Sequence, residues 1–251
     1  MLKQFGSFKI NSNSFIRKKA LLFTFFCFFI PSFLFITNSH AELTDNAIQL
    51  TLSIPPGDYI QRGDTSTQDQ FTGTLSYNLP IEVPPGRKGM APDLNLTYRS
   101  GNGNGWIGLG WELEVGSIER KTRLGLDYAS ADFVLRLPGY NVELVPISNG
   151  EYRAQIEGKF YRITPLTQGW EVQDKNGVIY LFGESSASRQ DNPSNSAQIF
   201  KWCLDKVIDT NGNFMNFVYN KDITNGQIYL DRIEYSGNGS SLPTNYIKFN
   251  S

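Results

Sequence analysis

Trp170-Glu171-Val172-Gln173-Asp174-Lys175-Asn176-Gly177-Val178-Ile179-Tyr180-Leu181-Phe182 reads as a β-hairpin from its letters alone. Apolar residues stand at every second position before the turn (Trp170, Val172) and after it (Val178, Tyr180, Phe182). Period two is the strand period, because successive side chains leave opposite faces of the backbone. Asn-Gly between two such runs is the strongest short-range hairpin signal, since both residues tolerate positive φ, and it predicts a type I′ turn. A second copy follows: Leu204 and Val207 lead into Asp209-Thr210-Asn211-Gly212, and Phe214 to Tyr219 lead out, 35 residues after the first. A third unit, Tyr229 to Tyr235, ends in Ser236-Gly237-Asn238-Gly239.

The alternation spreads outward from these hairpins. Leu75, Tyr77, Leu79, Ile81 and Val83 share one face, with Pro80 on the polar side, where an edge strand or strand end suits it. Leu94, Leu96 and Tyr98 form the next run, and Ile107, Leu109, Trp111, Leu113 and Val115 another. Phe133, Leu135 and Leu137 repeat the pattern. No stretch of ten or more residues after position 41 carries helical periodicity. The expected class is all-β: antiparallel hairpins and meanders, added in series, forming an extended open sheet or partial shell. The last residues, Tyr246 to Phe249, alternate as a strand, so the domain is expected to be truncated at its C-terminal end, or completed by a partner that covers the edge.

The start of the chain is different. Lys3, Lys9, Arg17, Lys18 and Lys19 precede an apolar run, Ala20 to Ile36, and Ser39 and Ala41 supply small residues two apart. This order is that of a secretory signal peptide cleaved after Ala41. The expected organisation is a signal peptide over 1–41, a polar lead-in over 42–70 with a short strand at Ile48–Ile54, and one all-β domain over 71–251. The product is then secreted to the extracellular region, through the periplasm in transit, with no membrane anchor after cleavage.

Removing residues 1–41 takes away five of the 23 basic residues and none of the 24 acids, leaving a net charge of −6. A basic nucleic-acid face is not expected. The sole histidine, His40, and one of the two cysteines, Cys27, also leave, so Cys203 is the remaining thiol. A Ser-His-Asp or Cys-His centre lacks its imidazole base. Zinc and most transition-metal sites lack their ligands. No catalytic, cofactor-binding or metal-binding residue is assigned, and no cofactor is expected. Cys203, out of phase with Phe200, Trp202 and Leu204, reads as a small packed residue.

Several motifs have bland explanations. Gly103-Asn104-Gly105-Trp106-Ile107-Gly108 fits G-x-G-x-x-G, yet a strand pattern follows where a dinucleotide site needs a helix, so a glycine-rich hairpin loop is expected. Asp209-Thr210-Asn211-Gly212-Asn213 begins like a calcium loop, but its glycine stands fourth and Asn220 replaces the bidentate glutamate. A tight turn explains it. Arg62-Gly63-Asp64 matches an adhesion tripeptide inside the polar lead-in. Glu112 and Glu114 sit two apart on one strand face, about 7 Å along the backbone, a spacing that carboxylate chemistry can use. They also resemble the Glu-x-Glu pair of ADP-ribosyltransferases. Arg62, however, stands beside Thr65-Ser66-Thr67, whereas that fold needs its arginine on a separate, earlier strand. Two solvated glutamates are the plainer reading.

The block from Gly73 to Trp111 resembles a known family: Leu79-Pro80, Pro84-Pro85-Gly86-Arg87, Gly89, Pro92, Leu94 to Tyr98, Ser100-Gly101 and Gly105 through Trp111. It is similar to the N-terminal domain of the virulence-plasmid protein B (SpvB) family, shared with the B components of Tc insecticidal toxin complexes and Rhs-type toxins. Trp170 to Gly183 and Trp202 to Tyr219 resemble the same family, and Leu230 to Tyr235 resembles a tyrosine-aspartate (YD, Rhs) repeat unit. The resemblance implies a virulence or toxin-type protein in which such a domain begins a β-rich shell around a separate effector, or precedes a transferase domain. The expected function is therefore a non-catalytic β-scaffold supporting packaging or delivery, not an enzyme. Its expected partners are a downstream Rhs/YD-repeat shell or toxin-complex subunits. The alternative is a secreted host-surface or glycan-binding module, suggested by the aromatic content and Arg62-Gly63-Asp64.

Overall fold

The computed structural model describes residues 73–249 together with the backbone strands Phe8–Ser12 (β1), Ile48–Leu50 (β2) and Thr67–Gln68 (β3). Three strands follow in the recognisable block: β4 (Leu75–Ile81), β5 (Leu94–Arg99) and β6 (Trp111–Leu113). Next come β7 (Ser117–Arg120), β8 (Phe133–Leu137), β9 (Tyr140–Pro146), β10 (Tyr152–Ala154), β11 (Arg162–Pro165), β12 (Trp170–Gln173) and β13 (Ile179–Phe182). The chain ends with β14 (Arg189–Asn192), β15 (Asn195–Ile208), β16 (Asn213–Asp222), β17 (Gln227–Asn238) and β18 (Asn245–Phe249). Short 3-10 turns at Arg87–Gly89, Ser148–Gly150 and Ser186–Ser188 are the helical elements among the described residues.

The all-β class holds, but the open sheet does not: β7 to β13 and β15 close into an eight-stranded barrel. The strands from β7 to β13 pair in sequence order. The long strand β15 then returns between the two ends. Lys201, Trp202 and Cys203 pair with Glu119, Ile118 and Ser117 of β7, while Leu204 to Ile208 pair with Phe182 to Ile179 of β13. The periodicity of each strand could not foretell this, because closure depends on a pairing between segments some eighty residues apart. Closure removes sheet edges and their unpaired amides.

The barrel is filled by side chains. Ile118, Leu135 and Val142 are cross-strand neighbours, as are Phe133, Leu144 and Ala154, and all six are buried. At one end Phe133, Tyr152, Trp170 and Trp202 meet edge to face, with Phe133–Trp170 centroids 4.7 Å apart and Trp170–Trp202 6.0 Å apart. These rings come from β8, β10, β12 and β15, so they can meet only across the lumen. Arg120 closes this end over Phe133 and Trp202, its Nε donating to the Ile199 carbonyl. At the other end Tyr140, Tyr161 and Tyr180 form a second aromatic group. Burial pushes Tyr161 up to about 12, with the nearby Tyr180 adding to the shift.

Beyond the barrel, β15 pairs through Lys206–Ile208 with β16, and β17 and β18 follow. The backbone of β1 runs antiparallel to β18, Phe8 opposite Phe249. That strand lies inside the segment expected to be a signal peptide, the rest of which is outside the described residues. The recognisable block forms a separate four-stranded sheet, β3-β4-β5-β6. It lies over the β16–β18 extension: Tyr235 Oη donates to the Pro84 carbonyl at 3.1 Å, the Arg87 amide donates to Ser236 Oγ at 3.2 Å, and Trp106 meets Phe249 edge-on. Pro80 sits opposite Asn95 of β5, past the two residues of β4 that pair with β3, where its missing N–H breaks no ladder among the described residues.

Both Asn-Gly turns are hairpins of a different type from the one expected. Gly177 and Gly212 have φ of 83° and 73°, while neither Asn176 nor Asn211 is among the positive-φ residues. Gly177 N–H donates to the Asp174 carbonyl, and Gly212 N–H to that of Asp209. This is a type I turn followed by a left-handed glycine. The aspartate decides it: Asp174 Oδ1 accepts from the amides of Asn176 and Val178, and Asp209 Oδ1 from those of Asn211 and Asn213. Such aspartate-to-backbone bonds favour the three-residue loop over the two-residue one.

Candidate functional site

Between the small sheet and the barrel extension lies a cavity of about 410 Å³. One wall is the loop 102–110 together with β6. The strand expected from Ile107 onward begins only at Trp111, and Leu109 is 70% exposed. Gly110 explains the loop's tight return onto β5: it has φ of 80°, and a Cβ there would stand 2.5 Å from the Tyr98 ring. Gly105 N–H donates to Gly108 O and Gly110 N–H to Gly103 O. The G-x-G-x-x-G match is thus a loop and opens no helix.

The opposite wall comes from β15, β16 and β17. Strand alternation sends Trp202 and Leu204 into the barrel, so Lys201 and Cys203 face outward and meet the chain crossing from β6 to β7. Glu119 of β7 takes hydrogen bonds from Ser117 Oγ and Lys201 Nζ, both at 2.9 Å, and from Arg136 Nε at 3.0 Å. Burial pushes the Glu119 carboxyl up, but the Lys201 ammonium, Arg136 and Ser117 outweigh it and hold the group below its ordinary value. Burial likewise presses Lys201 downward, and the Glu119 carboxylate reverses this and holds it above the ordinary lysine range. Burial raises Cys203 to about 11 despite the nearby ammonium. The thiol is therefore protonated at neutral pH and packs as a small apolar group.

Glu112 and Glu114 both line this cavity. Glu112 is exposed, as expected, but Glu114 is half-buried, and burial, followed by the charge of Glu112, raises its pKa. Neither carboxylate forms a hydrogen bond or ion pair among the described residues, in contrast to the fully engaged Glu119 close by. Trp106, at 38% exposure, stands at the rim. Sequence reasoning missed Lys201, Glu119, Arg136 and Gln190, which come from four strands; the meeting of Lys201 with Glu119 depends on the barrel-closing pairing of β15 with β7. The one available signal was a run of charged residues on the outward phase of otherwise apolar strands.

The remaining candidates lie elsewhere. Asp209 is spent on its own turn, Oδ2 accepting from Asn213 Nδ2 at 2.7 Å while Oδ1 takes two backbone amides. Burial raises its pKa, and the bonds from Asn213 and Asn211 together outweigh that and lower it. A calcium ion would find no free carboxylate oxygen. Asp222 holds a related but longer loop, Oδ1 accepting from the amides of Thr224 and Asn225 and Oδ2 from Asn225 Nδ2. No group of three or more His, Cys, Asp or Glu is placed to hold a metal ion among the described residues. Arg62-Gly63-Asp64 lies outside the described residues.

The model of the family described as Salmonella virulence plasmid 65kDa B protein matches residues 69–150 and 147–239, more than half of the chain. The mono(ADP-ribosyl)transferase SpvB of Salmonella typhimurium is 26% identical over an alignment covering 79% of this chain and 40% of its own length. The Salmonella dublin protein of the same name gives the same figures. The chain thus spans well under half the length of the curated relatives it matches. Among solved structures, the TcdB2-TccC3 crystal structure superposes with a TM-score of 0.61 at 26% identity, over 72% of this chain and 11% of that one. The Photorhabdus luminescens Tc holotoxin pore gives 0.59 at 25%, over 72% and 10%. The N-terminal domain of the effector SpvB from Salmonella typhimurium shares the fold, at a TM-score of 0.55 and 22% identity, over 66% of this chain and 65% of that one. On the family match across both sheets, the chain belongs to the SpvB, Salmonella virulence plasmid 65kDa B protein, family.

Proposed function

We propose that this chain is a non-catalytic β-scaffold module of a secreted toxin-type protein, supporting the packaging or delivery of an effector that the chain itself does not contain. The observation that carries this reading is the likeness to about a tenth of the TcdB2-TccC3 chain, at a TM-score of 0.61. The relatives named as transferases are matched over 40% of their length, and the solved domain that shares the fold is their N-terminal one.

The barrel is the closed part, and the β16–β18 extension is the face onto which further strands would add. Cleavage after Ala41 would remove β1 and leave the outer edge of β18 open to a strand of the partner. The partners proposed are Rhs/YD-repeat segments or toxin-complex subunits. The test is to co-express the chain with such segments and measure co-elution by size exclusion. A stable complex is expected. A compact monomer with no affinity for any of them would remove the scaffold reading. N-terminal sequencing of exported protein tests the leader separately and should begin at Glu42.

A further inference from the structure

We propose that the cavity between the small sheet and the barrel extension is a saccharide-binding site, with Trp106 at its rim as the stacking platform. Its walls carry both kinds of hydrogen-bonding group. Glu112 and Glu114 offer carboxylate acceptors that have no hydrogen bond or ion pair among the described residues, while Asn104 and Gln190 offer amide groups. The Gln190 amide donates through Nε2 to the Gly226 carbonyl at 3.0 Å, which fixes that side chain and leaves its oxygen available as an acceptor.

A sugar hydroxyl donates and accepts at once, so a polyol requires such a mixed lining, whereas a cation requires acceptors alone and an anion donors alone. Lys201 also faces the space, and its ammonium opposes a second cation there. The volume of about 410 Å³ is in the range of small-molecule sites, about 300–1,000 Å³. An indole ring partly open to solvent supplies the flat apolar surface on which the C–H face of a sugar ring packs. The half-buried Glu114 carboxylate gains most from occupancy: hydroxyl donors would replace the water it has lost. The inference does not rest on the scaffold reading, and either can fail without the other.

The test is isothermal titration of the purified chain with a panel of neutral mono- and disaccharides, with arginine amide as the cationic control. Dissociation constants on the order of 1 mM are expected for a monosaccharide of about a dozen heavy atoms. Trp106→Ala should weaken binding about tenfold or more, and Glu112→Arg, which fills the mouth from an exposed position, should abolish it. Both variants should keep the parent's circular dichroism spectrum; Glu112→Arg should also keep its melting temperature, while Trp106→Ala, which loses the edge contact with Phe249, should melt slightly lower. Absence of heat with every saccharide overturns the proposal, as does undiminished binding to both variants. Tighter binding of arginine amide than of any sugar also overturns it and makes the cavity a docking pocket for a basic side chain.

Discussion

Tyr235 Oη donates to the carbonyl of Pro84 across 151 residues of sequence, at 3.1 Å. This bond joins β17 to the Pro84-Pro85-Gly86-Arg87 block by which the family is recognised. Gly86 belongs to the same contact: a Cβ there would stand 1.7 Å from the Met90 carbonyl oxygen and 3.1 Å from the Tyr235 ring. The motif is therefore the foot of the small sheet on the barrel extension, which is a packing reason for its residues. Tyr235→Phe keeps the ring and removes the hydroxyl, which also bonds with Asn245, leaving the part-buried Pro84 carbonyl to find another donor. The expected loss is about 1 kcal/mol, which lowers the melting temperature by roughly 2–4 °C. Limited proteolysis should show faster cleavage within residues 84–91 of the variant.

The aromatic end of the barrel yields a larger effect. Trp170 is 4% exposed and touches Phe133, Tyr152 and Trp202. Trp170→Ala deletes the centre of that group and leaves a cavity that three rings cannot collapse to fill. A destabilisation of about 3–5 kcal/mol is expected, read from the urea midpoint. The near-ultraviolet circular dichroism should fall along with it, because the remaining rings lose their fixed neighbour.

These two sites show which parts of the fold could be read in advance. Val172, Leu135 and Leu137 sit on the buried phase that the alternation assigns to them, since that phase is a local property of each strand. The pairing of Trp202 with Ile118 is not local, and it decides between a sheet that stays open and one that closes. Asn-Gly marks both turns correctly, yet the type follows from Asp174 and Asp209; the sequence offers Asp209 as the start of a calcium-like loop, and neither carboxylate as the group that sets the geometry. Glu112 and Glu114 were legible as a pair. What they face was not, because the opposite wall of the cavity is contributed by β15 to β17.

Asp209 should behave as a turn residue and in no way as a calcium ligand. Asp209→Ala frees the amides of Asn211 and Asn213 and the side chain of Asn213, which is 1% exposed. The loss of bonds to a charged acceptor is expected to cost about 1.5–3 kcal/mol. Millimolar calcium should leave the melting temperature of both the parent and the variant unchanged. A calcium-dependent rise in the parent that disappears in the variant would restore the ligand reading.

The cavity carboxylates predict a stability profile with two opposed limbs. Glu114 has its folded pKa raised by burial and by Glu112, above the ordinary 4.5. Folding therefore favours its protonated form, and that contribution, complete below 4.5, fades as the pH rises through the raised value. Glu119 is the opposite case. Its folded pKa lies below 4.5, so its contribution is present above 4.5 and is lost as the pH falls through the lower folded value. Acidifying from neutrality should first stabilise the chain as Glu114 takes up a proton, then destabilise it as Glu119 lets go of Lys201 and Arg136. Glu114→Gln removes the first limb alone. The variant should be more stable than the parent at pH 7 and equal to it near pH 4, by urea midpoints across that range. If the two profiles run parallel, the half-buried carboxylate is not the source of the rise. If Glu114→Gln also removes the acid limb, the triad around Glu119 is coupled to it more tightly than the separate hydrogen bonds of Lys201 and Arg136 allow.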